Sequence, residues 1–176
     1  GRATVSAILR VLVVDDEPAQ RNIVSEILAD QGHIVDSASS GEEALEALAS
    51  SPRDLLLTDL RMPGIDGVEL LRRARERQPE LIVILMTAFG TVSSAVEAMK
   101  SGAWDYLQKP FDKAELVERV RRVADHVELV RENTRLRRRL RDDEGPRLIG
   151  ESSVMKTLFR HVAQIAGEYH EDLARH

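Results

Sequence analysis

From Ile8 to about Arg122 the chain alternates between two patterns: short apolar runs bounded by turn residues, and longer stretches whose apolar positions return every three or four residues. Ile8 to Val14 (ILRVLVV), the run opening at Leu55 (LLLTD) and Leu81 to Leu85 (LIVIL) are too short for buried helices, and each predicts a strand covered on both faces. Shorter strands are predicted at His33 to Asp36 and at Trp104 to Leu107. Between them lie helical patterns. Ala19 to Asp30 carries Ile23, Val24, Ile27 and Leu28 at helical spacing and is ended by Gly32; Glu42 to Ala49 follows Ser40 and Gly41, with Ala44, Leu45 and Leu48 facing inward. Val68 to Arg77 buries Val68, Leu70 and Leu71 and stops at Pro79, and Val92 to Lys100 is closed by Gly102. Parallel neighbours need crossovers, so this alternation predicts an α/β domain with a doubly wound parallel sheet of five strands.

The last helix departs from the pattern by its length. Asp112 is its expected cap, Leu116, Val117, Val120 and Val123 should pack on the sheet, and periodicity persists to about Arg141. Beyond the sheet, His126, Leu129, Asn133, Leu136 and Leu140 fall at alternating spacings of three and four, which places His126, Asn133 and Leu140 at a positions and Leu129 and Leu136 at d positions of a parallel coiled coil. An Asn at an a position favours a dimer in fixed register. The alternative is a single helix packed on another domain. Arg131, Arg135, Arg137, Arg138, Arg139 and Arg141 invite a DNA-binding reading, but Leu136 and Leu140 within that run favour a solvated coiled-coil flank or partner contact. Glu144, Gly145 and Pro146 then break the helix.

Composition changes this picture little. With 176 residues, 43% hydrophobic and 31% charged, the chain has the content of one ordinary globular domain with length left over. The absence of cysteine rules out thiol chemistry and disulfides, and His33, His126, His161, His170 and His176 show no metal-ligand spacing. His33 is expected to be a half-exposed strand residue. A net charge of -5 argues against nucleic-acid binding by the whole chain. No apolar run reaches the ~20 residues of a membrane span and no signal-peptide pattern opens the chain, so a cytoplasmic location is expected. Gly1 to Ala7 lacks an initiator methionine and reads in part as a leftover of cloning.

The candidate chemistry lies where the predicted strands end. In open parallel sheets the carboxyl ends of the strands form the ligand crevice, and Asp59 follows the Leu55 run there. Asp15, Asp16 and Glu17 follow the first strand. Part of that acidic run has a neutral explanation, with Asp16 as helix cap, Glu17 complementing the dipole and Pro18 in the first turn. Capping needs only one acid, and two adjacent Asp facing the same crevice as Asp59 point to a hard-cation site. Thr87 and Lys109, after the fourth and fifth strands, reach the same edge.

The ordered set Asp15-Asp16, Asp59, Thr87, Tyr106 and Lys109-Pro110 resembles the receiver domain of two-component response regulators over residues 8–122. DLRMPGIDG and SAVEAMKSGAWDYLQKPF are similar to the receivers of sigma-54 enhancer-binding activators of the nitrogen-regulation and dicarboxylate-transport type. The resemblance implies a flavodoxin-like sheet of order 2-1-3-4-5. It implies Asp59 as the phosphoacceptor for a sensor histidine kinase, and Mg²⁺ held by Asp16, Asp59 and the Arg61 backbone carbonyl, with Asp15 acting mainly through water. Lys109 would pair with the phosphoryl group, and with Asp59 before phosphorylation. Thr87 and Tyr106 would form the switch; without Asp59, the first reads as an ordinary strand residue and the second as a core aromatic. Phe89 and Arg61, each two positions past a key residue, are placed to screen the phosphoryl group from water. The Lys109-Pro110 bond is commonly cis in this family, which a sequence does not establish.

Leu148 to Ala166 (LIGESSVMKTLFRHVAQIA) resembles the opening of the AAA+ ATPase domain of the same activators, giving residues 147–166 as its beginning and 167–176 as an unassigned tail. No G-x-x-x-x-G-K-[ST] phosphate loop occurs, so no ATPase activity or direct DNA binding is expected of this chain. The expected partners are a histidine kinase, a second copy through the linker helix of residues 112–141 and through the receiver face, and the AAA+ domain of a longer protein. The alternative function is an output-less receiver acting as phosphate relay or kinase sink; an acid-cluster Mg²⁺ hydrolase lacks a recognisable second catalytic group.

Overall fold

Branched apolar runs too short for helices pair edge to edge. β1 (Arg10–Val14), β2 (Ile34–Ala38), β3 (Leu55–Asp59), β4 (Ile82–Thr87) and β5 (Asp105–Gln108) form one parallel sheet of order β2-β1-β3-β4-β5. The computed structural model describes residues 6–88 and 90–144. The helices are α1 (Pro18–Asp30), α2 (Gly41–Ser50), α3 (Gly67–Arg77), α4 (Val92–Lys100) and α5 (Lys113–Glu144). The doubly wound flavodoxin-like arrangement expected from the sequence is the one observed.

Because both faces of the sheet are covered, the interior strands read as unbroken apolar runs. Val11, Val13, Leu55, Leu57, Ile84 and Met86 face Val24 and Leu28 of α1 and Leu116, Val120, Val123 and Ala124 of α5. On the other side, Leu12, Val14, Leu56, Val83 and Leu85 meet Ala44 of α2, Leu70, Leu71 and Ala74 of α3 and Ala98 of α4. β1 pairs with β2 on one side and β3 on the other, so the chain reverses its direction of winding there. The carboxyl ends of β1 and β3 therefore flank the crevice where such folds bind ligands.

Several local expectations are corrected. β2 starts one residue later than predicted and runs to Ala38, because Ser37 and Ala38 pair with Val13 and Val14. β5 likewise ends on Gln108, opposite Thr87. Polar residues hid both extensions. Of the four apolar residues at helical spacing in α1, Val24 and Leu28 are buried, Ile27 is partly buried against the core and Ile23 is 54% exposed. Asp16 does not cap α1: Glu17 is the N-cap, without a side-chain bond, and it is Asp15 Oδ1 that accepts the Glu17 N–H at 3.0 Å. Asp112 does cap α5, accepting the Glu115 N–H at 2.8 Å.

The chain divides into two units, residues 1–129 and 130–176. Within the first, the His126 ring packs on Trp104, centroids 4.7 Å apart, so this predicted seam residue has a partner on its own domain. Leu129 is exposed. In the second unit residues 130–144 are helical, with Asn133, Leu136 and Leu140 exposed. The expected AAA+ opening, the tail, the break after Glu144 and the screening residue Phe89 lie outside the described residues. Among the described residues no helix is long and apolar enough to cross a membrane.

His33, just ahead of β2, accepts the Leu9 N–H on Nδ1 at 3.1 Å. Burial lowers its pKa below the ordinary 6.5. A depressed histidine contributes stability that is full above its unfolded pKa and lost as pH falls through the folded one. Thermal midpoints measured between pH 7.5 and 5 should therefore fall more steeply for the native chain than for His33→Gln, which keeps an acceptor without a proton to gain.

Candidate functional site

Asp15, Asp16, Asp59, Thr87 and Lys109 lie at or just beyond the ends of strands. β3 delivers Asp59, whose carbonyl is closely covered by the next helix: a Cβ on Gly67 would lie 2.5 Å from the Asp59 carbonyl oxygen, so only glycine fits at the start of α3. β1 delivers Asp15, fully buried, and Asp16, exposed. Carboxylate oxygens of Asp15, Asp16 and Asp59 lie within 4.8 Å of one another. β4 delivers Thr87, 1% exposed, whose carbonyl accepts the Lys109 N–H at 2.7 Å, joining the ends of β4 and β5.

Lys109 is the cation facing these acids. Its Nζ lies 3.0 Å from Asp15 Oδ2 and 3.5 Å from Asp59 Oδ2, with both carboxylates and the ammonium largely withdrawn from solvent. The resting ammonium is thus closer to Asp15 than to the Asp59 partner expected from the sequence. Fully buried, Asp15 has the greater need of a counter-charge. The Lys109-Pro110 bond is cis. An open cleft of about 260 Å³ is lined by Asp16, Glu17, Asp59, Arg61, Thr87, Ala88 and Lys109. Burial raises the pKa of Asp59 above the usual carboxylate range; the Lys109 charge opposes this and the Asp15 charge adds to it.

Three carboxylates whose oxygens lie this close form an all-oxygen donor set that could hold a hard divalent cation. Tyr106 is set apart from the acids. It pairs with Leu85, is partly buried against the α2–α4 side of the core, and places its hydroxyl 3.4 Å from Ser94 Oγ in the first turn of α4.

Two residues of this neighbourhood were not anticipated. Arg21 Nη1 donates to the Asp15 carbonyl at 2.8 Å, and Glu42 Oε1 accepts the Ile65 N–H at 3.2 Å, tying the loop after β3 to the start of α2. Neither belongs to a motif. The one signal for Arg21 is a cation near a helix N-terminus, where the dipole disfavours it.

A flavodoxin-like sheet with three carboxylates and a lysine at its switch point has its charged groups where such folds bind ligands. The sequence profile of the response regulator receiver domain matches residues 11–121, and the chain belongs to that family. It is 40% identical over 158 residues to the DNA-binding transcriptional regulator NtrC of Escherichia coli K12, covering 89% of this chain and 33% of that protein. It is 37% identical over 163 residues to the C4-dicarboxylate transport transcriptional regulatory protein DctD of Rhizobium meliloti, covering 92% and 35%. The chain thus spans about a third of these curated relatives. Among solved structures, NtrX of Brucella abortus superposes with TM-score 0.69 at 33% identity over 74% of this chain and 30% of that one. The solution structure of a beryllofluoride-activated NtrC4 receiver domain dimer gives TM-score 0.64 at 33% identity over 66% and 97%. The receiver is of the NtrC type.

Proposed function

We propose that residues 8–122 form a phosphorylation switch in which Asp59 takes a phosphoryl group from the phosphohistidine of a sensor histidine kinase, regulating a sigma-54-dependent activator of which this chain is a part. The observation that carries this reading is the meeting of Asp15, Asp16, Asp59 and Lys109 at one sheet edge. An Asp59 oxygen attacks phosphorus while the P–N bond breaks toward the imidazole, leaving an acyl phosphate. Mg²⁺ suits the donor set, with Asp16 and Asp59 as carboxylate ligands, the Arg61 carbonyl as a third and Asp15 acting through water; when bound it neutralises charge on the phosphoryl oxygens. Lys109 offers a point charge to a phosphoryl oxygen. The chain turns over no foreign substrate: it catalyses only its own phosphorylation and dephosphorylation.

Thr87 and Tyr106 carry the signal outward. The Thr87 hydroxyl donates to the new phosphoryl oxygen and draws its loop inward, and Tyr106 rotates into the space this leaves. A coupling of about 1–3 kcal/mol is typical of such links and changes the occupancy of an existing conformer severalfold or more. Residues 112–141 serve as the linker. Leu129, Asn133, Leu136 and Leu140 form a parallel coiled-coil seam with a second copy, supported by the exposure of all four. His126 is the weakest member of that seam, because its ring already rests on Trp104. Residues 147–166 begin the AAA+ domain and 167–176 remain unassigned. The kinase partner, the receiver-face dimer contact, the absence of direct DNA contact and the cytoplasmic location follow from this role.

Oligomeric mass with and without beryllofluoride and Mg²⁺, combined with mass-spectrometric mapping after exposure to acetyl phosphate, tests the reading. One phosphoryl group on Asp59 and a changed dimer fraction are expected. Labelling elsewhere, or an unchanged mass together with an unchanged α4–β5 surface, would overturn it.

A further inference from the structure

The Asp15-Asp16 loop must aim one carboxylate inward at Lys109 and leave the next at the mouth of the cleft, and its main chain is tied from three directions. The Asp15 N–H donates to the Ala38 carbonyl at 3.2 Å, Asp15 Oδ1 accepts the Glu17 N–H at 3.0 Å, and the Asp15 carbonyl accepts Arg21 Nη1 at 2.8 Å. The first two ties are made by backbone atoms or by Asp15 itself. Arg21 supplies the only side chain from another residue among these three. It is partly buried on α1, one turn from the positive end of that helix, where a cation is disfavoured. Its charge is also felt by Glu43, whose carboxyl is held below the usual range by the Ser39 hydroxyl and N–H first and by Arg21 after them. A guanidinium kept at such a place is spent on one backbone carbonyl, the one that joins the two acids.

We infer that Arg21 is a positioning residue for the cation site: through the Asp15 carbonyl it fixes the peptide between Asp15 and Asp16 and so the direction in which Asp16 presents its carboxylate. The inference rests on the receiver reading given above and adds to it a residue outside the acid-lysine set. Partners behind metal ligands typically change affinity by about 10–100-fold when removed. Arg21 acts through a peptide rather than on a ligand atom, and the low end of that range applies.

Mg²⁺ titration by calorimetry and the rate of phosphoryl uptake from acetyl phosphate across Mg²⁺ concentration, both on the full chain, test this. Arg21→Ala should weaken Mg²⁺ binding about tenfold, raise the Mg²⁺ concentration for half-maximal uptake in proportion, and leave the rate at saturating Mg²⁺ within about twofold. Arg21→Lys, which restores a donor, should recover most of the affinity. Arg53→Ala serves as control: Arg53 is 8% exposed and pairs with Asp36, away from the cleft. Wild-type affinity in Arg21→Ala, or an equal loss of affinity in Arg53→Ala, would overturn the inference while native Mg²⁺ binding and Asp59 labelling left the receiver reading standing. A native chain that bound no Mg²⁺ and took no label would overturn both.

Discussion

Asp59→Asn should acquire no phosphoryl group from acetyl phosphate under conditions that label the native chain, and its oligomeric mass should not respond to beryllofluoride. An amide oxygen is a poor nucleophile toward phosphorus, and the substitution also removes one of the three charges gathered at the cleft. The same variant should be more stable than the native protein at neutral pH in the presence of a chelator. Burial lifts the Asp59 pKa in the fold, with Lys109 opposing. An acid raised above its unfolded value contributes stability below the unfolded pKa and loses it as pH rises through the folded one. At neutral pH the ionised side chain therefore costs stability that asparagine does not, and the two thermal midpoints should converge as pH falls toward 4. Uptake of label by Asp59→Asn would place the acceptor on Asp15 or Asp16.

The acids, the threonine and the lysine were legible because strand ends are legible. The LIVIL run marks β4, although the strand runs two residues past it to Thr87, and a parallel sheet brings all its strand ends to one edge. What escaped were relations between side chains whose spacing carries no period. Arg21 meets Asp15 across a helix turn and a loop, and Glu42 meets Ile65 from another helix. The choice of Lys109 between Asp15 and Asp59 depends on burial, which the order of residues does not give. The linker shows the converse. Heptad spacing names His126 as a seam residue; spacing does not reveal that its exposed ring also touches Trp104, beside the buried Val123 and Ala124. Periodicity finds an apolar face without saying what covers it.

Lys109→Ala should produce the largest loss of stability among changes at the cleft, about 3 kcal/mol in a chelator, the low end of the range for breaking a buried ion pair from one side. Asp15 is fully buried with Nζ 3.0 Å away, and its remaining bond to the Glu17 N–H does not neutralise its charge. Asp59 loses the charge that opposes its raised pKa, so less of it should be ionised at a given pH and labelling by acetyl phosphate should slow. A divalent cation bound at the same carboxylates would compensate for both losses. Binding to the native state alone stabilises by RT ln(1 + [L]/Kd), so saturating Mg²⁺ should raise the unfolding free energy of Lys109→Ala by more than that of the native chain. Urea denaturation of both proteins with chelator and with Mg²⁺ measures the two differences. Equal stabilisation by Mg²⁺ would mean that lysine and metal act on separate carboxylates. A larger gain in the variant would mean that they compete to neutralise the same pair.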